Sequence, residues 1–212
     1  MKQLIIGMSG ASGSIYGIRL LQILKTADDV ETHLVMSPYA KQIIEIETSY
    51  SVQYVEQLAD VVHGIRDQAS SISSGSYRTD GMIIAPCSIK TLSAIANSYA
   101  DNLLVRAADV TLKEQRKLVL MPRETPLHAG HCKLLYEAAQ LGAVIAPPIP
   151  AFYDEPVTID DQVNHSVGRV LDQFGIDLGI VKRWQGKQRH AKSIETESMP
   201  KSGSVIEALT LK

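Results

Sequence analysis

The stretch that most constrains this chain is Leu4-Ile5-Ile6-Gly7-Met8-Ser9-Gly10-Ala11-Ser12-Gly13. A short apolar run without turn residues, closed by glycines and hydroxyls and followed by apolar residues at helical spacing, is how a buried parallel strand enters a crossover unit. The helical spacing starts near Ser14 or Ile15 and continues through Ile18, Leu21 and Leu24, with Leu20 beside them. Ala27-Asp28-Asp29 closes that element ahead of a second strand, Glu31 to Met36. One complete β-α-β unit is predicted, with the glycine-rich loop at the carboxyl end of its first strand, where open α/β sheets bind ligands.

The chemistry of that loop favours an anion. Its glycines let backbone approach a ligand closely, and N–H groups at the start of the next helix favour negative charge, so phosphate is the natural guest. The spacing of Gly7, Gly10 and Gly13 is not the dinucleotide fingerprint G-x-G-x-x-G, and no Gly-Lys-Ser/Thr follows as a nucleoside-triphosphate loop requires. Hydroxyls stand there instead, at Ser9, Ser12 and Ser14, and Ser37 ends the second strand where a nicotinamide-dinucleotide site carries an acid. A mononucleotide such as FMN fits this pattern better than NAD. A plain tight strand-to-helix turn is the alternative on the loop alone.

The rest of the chain repeats the strand-turn-helix theme. Apolar strands are predicted at Gly81 to Ala85, Lys117 to Met121 and Gly142 to Ala146. Ser37-Pro38 reads as a cap and first helical residue of a helix reaching Glu47, and Tyr50 to Gln68 as a further helix and connection. A polar loop, Ser70 to Ser76, follows. Pro86-Cys87-Ser88-Ile89-Lys90-Thr91 is a second hydroxyl-bearing turn, placed to face the first across a bound cofactor. Cys87 lacks a nearby cation and reads as a buried inert thiol. Asp101 to Arg116 reads as a helix capped by Asp101. Arg106 and Lys113, two turns apart on nearly one side, either flank a phosphate or are surface residues paired with Asp109 and Glu114.

Pro122-Arg123-Glu124-Thr125-Pro126 fixes a charged pair at a strand's carboxyl end, where ligand chemistry happens. Arg123 suits a phosphate or a flavin carbonyl, and Glu124 suits acid-base work if burial raises its pKa. His128, His131 and Cys132 on a helix from Leu127 to Leu141 have the composition of a metal site but cannot all converge, so a structural role is expected. A proline run, 147–150, leads to Phe152 and Tyr153, and a last helix through Val163 to Phe174 carries Arg169.

At 212 residues the sequence suits one α/β domain over residues 1–186, followed by a polar tail, 187–212, that either wanders or docks on a neighbouring subunit through Val205 to Leu211. The balance of 21 basic against 23 acidic residues gives no overall field for nucleic acid or an anionic membrane. No apolar run reaches the roughly 18–20 residues of a membrane span, and two cysteines make no disulfide framework, so a cytoplasmic protein is expected.

Taken together, Gly7-Met8-Ser9-Gly10-Ala11-Ser12-Gly13, Pro86-Cys87-Ser88, Arg106-Ala107-Ala108-Asp109-Val110 with Leu112-Lys113-Glu114, Pro122-Arg123-Glu124, Phe152-Tyr153 and Arg183-Trp184 closely resemble the UbiX family of flavin prenyltransferases, whose members have also been called hydroxyaromatic or phenylacrylic acid decarboxylases. The likeness is collinear from Lys2 to about Gly186. It implies a Rossmann-like (flavodoxin-like) open parallel sheet flanked by helices in three layers. The activity implied is metal-independent transfer of a dimethylallyl group from dimethylallyl phosphate to N5 and C6 of reduced FMN. Prenylated FMN would then serve a UbiD-type aromatic acid decarboxylase.

By the same resemblance, Gly10, Ala11, Ser12, Ser37, Ser88, Ile89, Lys90, Thr91 and Arg123 bind FMN. Tyr153 and Arg169 hold the prenyl phosphate, with Arg106 and Lys113 close by. Glu47 and Glu124 are the acid-base carboxylates, and Trp184 is an aromatic wall of the prenyl pocket. Lys113 joins Glu47 and Glu124 in the catalytic set. The family assembles such sites across subunits of a homododecamer.

One departure is His128-Ala129-Gly130-His131-Cys132-Lys133, which keeps only His131 of the commoner Ser-x-Ile-His-Leu-Glu-Asn. Two other readings compete: an FMN-dependent cysteine decarboxylase, and a non-catalytic FMN-binding component of a decarboxylase complex. The set Arg123, Glu124, Lys113 and Arg169 favours catalysis, since a carrier has no use for a second anion site.

Overall fold

The computed structural model describes residues 1–186, and the polar tail lies outside the described residues. Six parallel strands, β1 (Lys2–Met8), β2 (Val30–Met36), β3 (Val61–His63), β4 (Gly81–Cys87), β5 (Lys117–Pro122) and β6 (Val144–Ile145), form one sheet in the order β3-β2-β1-β4-β5-β6. The helices are α1 (Ser14–Leu24), α2 (Pro38–Glu47), α3 (Val52–Leu58), α4 (Ile89–Ala96), α5 (Leu103–Lys113), α6 (Ala129–Gln140) and α7 (Ile159–Leu171). Chain order reverses between β1 and β4, and the crevice beyond that reversal is where such sheets take ligands.

Alternation along the strands sends side chains to two separate cores. Leu4, Ile6 and Met8 pack with Leu20, Leu21, Val163 and Val167 under α1 and α7, while Ile5, Met82 and Ile84 pack with Leu92, Leu104 and Leu120 under α4 and α5. Helices cover both faces, giving the expected α/β sandwich of three layers. Each of these fully buried aliphatic side chains is worth about 1.5–3 kcal/mol relative to exposure, so the sheet is held from both sides.

Local chemistry starts most helices. Ser37, Ser51 and Ser88 accept from the backbone N–H groups of Ala40, Tyr54 and Thr91, and α7 begins with a reciprocal box between Thr158 and Asp161. The cap of α5 is Asn102, not the expected Asp101, because the Asn102 side chain is the one that reaches Val105 N–H.

The predicted helix and connection over Tyr50 to Gln68 is corrected in its second half, where Val61–His63 is the edge strand β3. Among the described residues it pairs only with β2, and it is too short and too exposed to show a buried-strand pattern. Polar bonds hold it. Asp60 accepts from the Thr32 backbone and hydroxyl at 2.8 and 2.9 Å. Buried His33 bonds His63 at 2.9 Å and Glu31 at 2.8 Å, and His63 bonds Ser70 at 2.7 Å. Burial pushes the His63 imidazole down from its ordinary pKa, with His33 adding to the effect.

Candidate active site

The loops leaving β1 and β4 meet at the strand reversal and are stapled by Ser9. This side chain is 1% exposed, donates to the Pro86 carbonyl at 3.0 Å and accepts from Ser88 N–H at 2.8 Å. Its hydroxyl is therefore engaged within the protein, and Ser12 and Ser14 are left as the hydroxyls of the first loop. The Ser37 N–H donates to the Met8 carbonyl at 2.9 Å, which brings the start of α2 to the same place. Gly10, Ala11, Ser12, Ser37 and the Ser88 to Thr91 turn thus share one edge of the sheet.

The start of α1 differs from the other helix starts. Gly13 has φ 97°, a left-handed conformation that favours glycine, and no side chain of its own turn caps the helix. The Glu47 carboxylate takes the position instead, its Oε2 accepting from Gly13 N–H at 2.8 Å and Ser14 N–H at 3.4 Å. An anion thus sits where the helix dipole favours one. Beneath it the Ser14 hydroxyl is fully buried with no hydrogen-bond partner. At Gly10 a Cβ would lie 2.4 Å from the Tyr39 Cβ, so only glycine lets the backbone pass. Arg123 is exposed at the end of β5, its N–H bonded to the Cys87 carbonyl at 3.2 Å. Burial pushes the Tyr16 phenol up from its ordinary pKa, and the Arg123 charge opposes that shift.

A second cluster stands on α7 and the segments packed on it. The Tyr153 hydroxyl bonds His165 Nε2 at 2.8 Å, and the Tyr153 ring meets the Trp184 ring edge-on at 5.8 Å. Tyr153 and Trp184 line a cavity of about 370 Å³ with Asp154, Lys182 and Arg183. His165 and Arg169, one turn apart, line another of about 250 Å³ with Met121 and Ala146 at the ends of β5 and β6. Arg169 pairs with Asp172 at 2.6 Å, and Arg183 bridges Asp172 and Asp177 at 2.7 and 2.8 Å. The hydrogen bond from Arg183 holds the Asp172 carboxyl below its ordinary pKa, against the effect of its burial. Since Met121 lies two residues before Arg123, the second cluster adjoins the first.

One expected site residue, Lys113, stands elsewhere in the single chain. Lys113 ends α5 just before β5 begins, at the amino edge of the sheet, and β5 is six residues or about 20 Å long. It is ion-paired with Glu114, and Arg106 with Asp109 at 2.8 Å, the surface pairing allowed from their spacing. Arg106 Nε also donates to the Ser73 carbonyl at 3.1 Å. Lys90 points to Asp101 at 3.6 Å and is exposed. Glu124 is exposed, with Oε1 accepting from Thr125 N–H at 3.1 Å.

Of the remaining candidates, Cys87 is a buried thiol and His128 a helix cap. Burial pushes the Cys87 thiol up to about 12. His128 caps α6 by accepting from Gly130 N–H at 3.0 Å. Among the described residues no group of three or more His, Cys, Asp or Glu side chains converges as metal ligands, and no helix is long and apolar enough to cross a membrane. Sequence reasoning missed His165. Its signal was a histidine four residues before Arg169, hence on the same helical face.

An open parallel α/β sheet with anion-accepting groups at its strand reversal defines the class: a protein that takes a phosphorylated ligand at the carboxyl edge. The Flavoprotein family profile matches residues 1–166. The flavin prenyltransferase UbiX of Salmonella typhimurium is 63% identical over 188 residues, covering 88% of this chain and all of that protein. A dodecameric FMN-dependent UbiX-like decarboxylase from Escherichia coli superimposes with TM-score 0.85 at 55% identity, over 87% of this chain and 100% of that one. A UbiX protein solved with FMN and dimethylallyl pyrophosphate gives TM-score 0.86 at 49% identity, over 88% and 99%. The chain belongs to the UbiX family of flavin prenyltransferases.

Proposed function

We propose that this protein transfers a dimethylallyl group from dimethylallyl phosphate to N5 and C6 of reduced FMN and passes the prenylated flavin to a UbiD-type decarboxylase. The observation that carries the reading is that two anion-accepting groups of residues adjoin at one sheet edge. One is the α1 start with Arg123, the other Tyr153 with Arg169. A flavin carrier needs only the first. The relatives point the same way, one being a UbiX protein solved with FMN and a dimethylallyl donor together.

The residues fit FMN. A helix start closed only by the exposed Glu47 carboxylate, an orphaned buried hydroxyl at Ser14 and a close backbone passage at Gly10 are what a phosphorylated planar ligand requires. Gly10, Ala11, Ser12, Ser37, the Ser88 to Thr91 turn and Arg123 hold it. Reduced FMN, when bound, supplies the nucleophilic nitrogen and carbon.

Tyr153 and Arg169 bind the prenyl phosphate and stabilise the charge that gathers on it as its carbon–oxygen bond breaks and the electron pair leaves with oxygen. The Trp184 and Tyr153 rings offer the allylic group an electron-rich wall with no nucleophile to trap it. Glu124 and Glu47 handle protons, Glu124 beside the phosphate and Glu47 at the flavin end.

Lys113 acts on this site from a neighbouring copy, since its own chain holds it at the other edge of the sheet, and Arg106 of the same helix acts with it. Exposed Glu124 is covered in the same assembly, which accords with the dodecameric relative. The protein works as a cytoplasmic homo-oligomer, as one domain over 1–186 whose tail, 187–212, wanders or docks on a neighbouring subunit.

The test is anaerobic incubation of the protein with reduced FMN and dimethylallyl phosphate, then mass analysis of the released flavin. A gain of one C5 unit is expected. Unmodified FMN with both the monophosphate and the diphosphate donor, flavin being bound, removes the reading.

A further inference from the structure

We propose that His165 is a positioning residue for the prenyl donor, acting through the hydroxyl of Tyr153; the inference rests on the prenyl-phosphate reading of Tyr153 and Arg169. A phenol carries one proton and can also accept. In the Tyr153–His165 bond of 2.8 Å, either Tyr153 donates to Nε2 or Nε2–H donates to the phenolic oxygen. A phosphate with ionised oxygens accepts only. To donate to it, Tyr153 must turn its proton outward, and its oxygen then needs a donor from behind. His165 with a proton on Nε2 is that donor, and a chain of two hydrogen bonds pointing at the phosphate strengthens each member.

The geometry suits a fixed part. His165 is 8% exposed, so its ring cannot swing into solvent, and Tyr153 meets it edge-on at 78° with centroids 5.6 Å apart. The neighbouring turn of α7 is tied to α1, with Arg19 bonded to Asn164 and paired with Asp160 at 2.8 Å. One turn on, Arg169 lines the same cavity as His165, so helix α7 presents the charge that attracts the phosphate and the group that orients its second donor. Tyr153 itself is half exposed and comes from a loop between β6 and α7. Without His165 its hydroxyl has no partner that fixes its direction.

The experiment is steady-state prenyl transfer by the full chain, with the flavin dissociation constant measured in parallel, for wild type, His165→Leu, His165→Gln, Tyr153→Phe and the double variant His165→Leu/Tyr153→Phe. Wild-type turnover establishes the underlying activity on its own. Its absence defeats that reading rather than this one.

Expected is a rise of about tenfold in KM for dimethylallyl phosphate in His165→Leu, the effect of about 1.4 kcal/mol, with flavin affinity unchanged. His165→Gln, whose amide N–H donates in the same direction, restores most of it. In the Tyr153→Phe background His165→Leu adds nothing. The proposal is overturned by wild-type KM in His165→Leu, by failure of glutamine to rescue in a folded variant, or by effects that simply multiply in the double variant. The last marks His165 as a packing residue. Should His165→Leu not fold, the His165→Gln and Tyr153→Phe variants decide the matter, since glutamine then has to keep near wild-type KM while phenylalanine loses it.

Discussion

The two turns that leave β1 and β4 look alike in sequence and are opposites in structure. Both follow strands whose carboxyl halves are fully buried, both carry serines, and they touch through Ser9. Yet the second is complete in itself: Ser88 accepts from Thr91 N–H at 3.3 Å and donates to the Thr91 hydroxyl at 3.2 Å. The first leaves its helix start to be closed by Glu47, a carboxylate 34 residues away, and keeps Ser14 unpaired. Hydroxyl content therefore does not mark a ligand site. What marks it is which donors the fold leaves without a local partner.

The largest expected effect comes from filling the first turn. In Gly10→Ala the new methyl meets Tyr39 at its root, so thermal unfolding should show a loss of about 1–3 kcal/mol, as overpacking does, together with weakened FMN binding. Wild-type stability and affinity would show that the close passage is not needed.

Next is Ser88→Ala, which removes the self-contained cap of α4. Denaturant titration should show a loss of about 1 kcal/mol. A variant as stable as wild type would erase the contrast between the turns.

A smaller change, under about 1 kcal/mol, is expected for Glu47→Gln, because the carboxylate it replaces is exposed. The informative part is its dependence on ligand. With saturating FMN the deficit should shrink as the ligand occupies the α1 start, and an equal deficit with and without FMN would place the ligand elsewhere.

The smallest effect concerns Cys87, which ends β4. Its thiol is held at about 12 and is fully buried, while Cys132 is exposed. The thiolate is the reactive form, so a thiol reagent at pH 8 should label one cysteine in the folded protein and two after unfolding. Labelling of Cys87 in the folded state would mean that the second turn opens.

Much of the fold is legible in the chain because it is written in short range. The apolar runs of β1, β4 and β5, the serine caps at Ser37 and Ser88 and the proline after Ser37 act within four residues of themselves. The edge strand β3 was not legible, since three half-exposed residues carry no pattern apart from their partner β2. Of the candidate site, the residue types at strand ends could be named, but their partners could not.

What the sequence by itself determined is the family, the parallel sheet, and the glycine-rich loop at the carboxyl end of β1. Only tertiary structure decided that Ser9 is a staple, that Glu47 closes α1, that His165 backs Tyr153, and that Lys113 stands at the opposite edge from Arg123. The reason is physical. Helix and strand periodicity repeat within a few residues, whereas the partner of a side chain at a strand end depends on which strand lies alongside and in what register. That order is fixed only when both cores close on the two faces of the sheet.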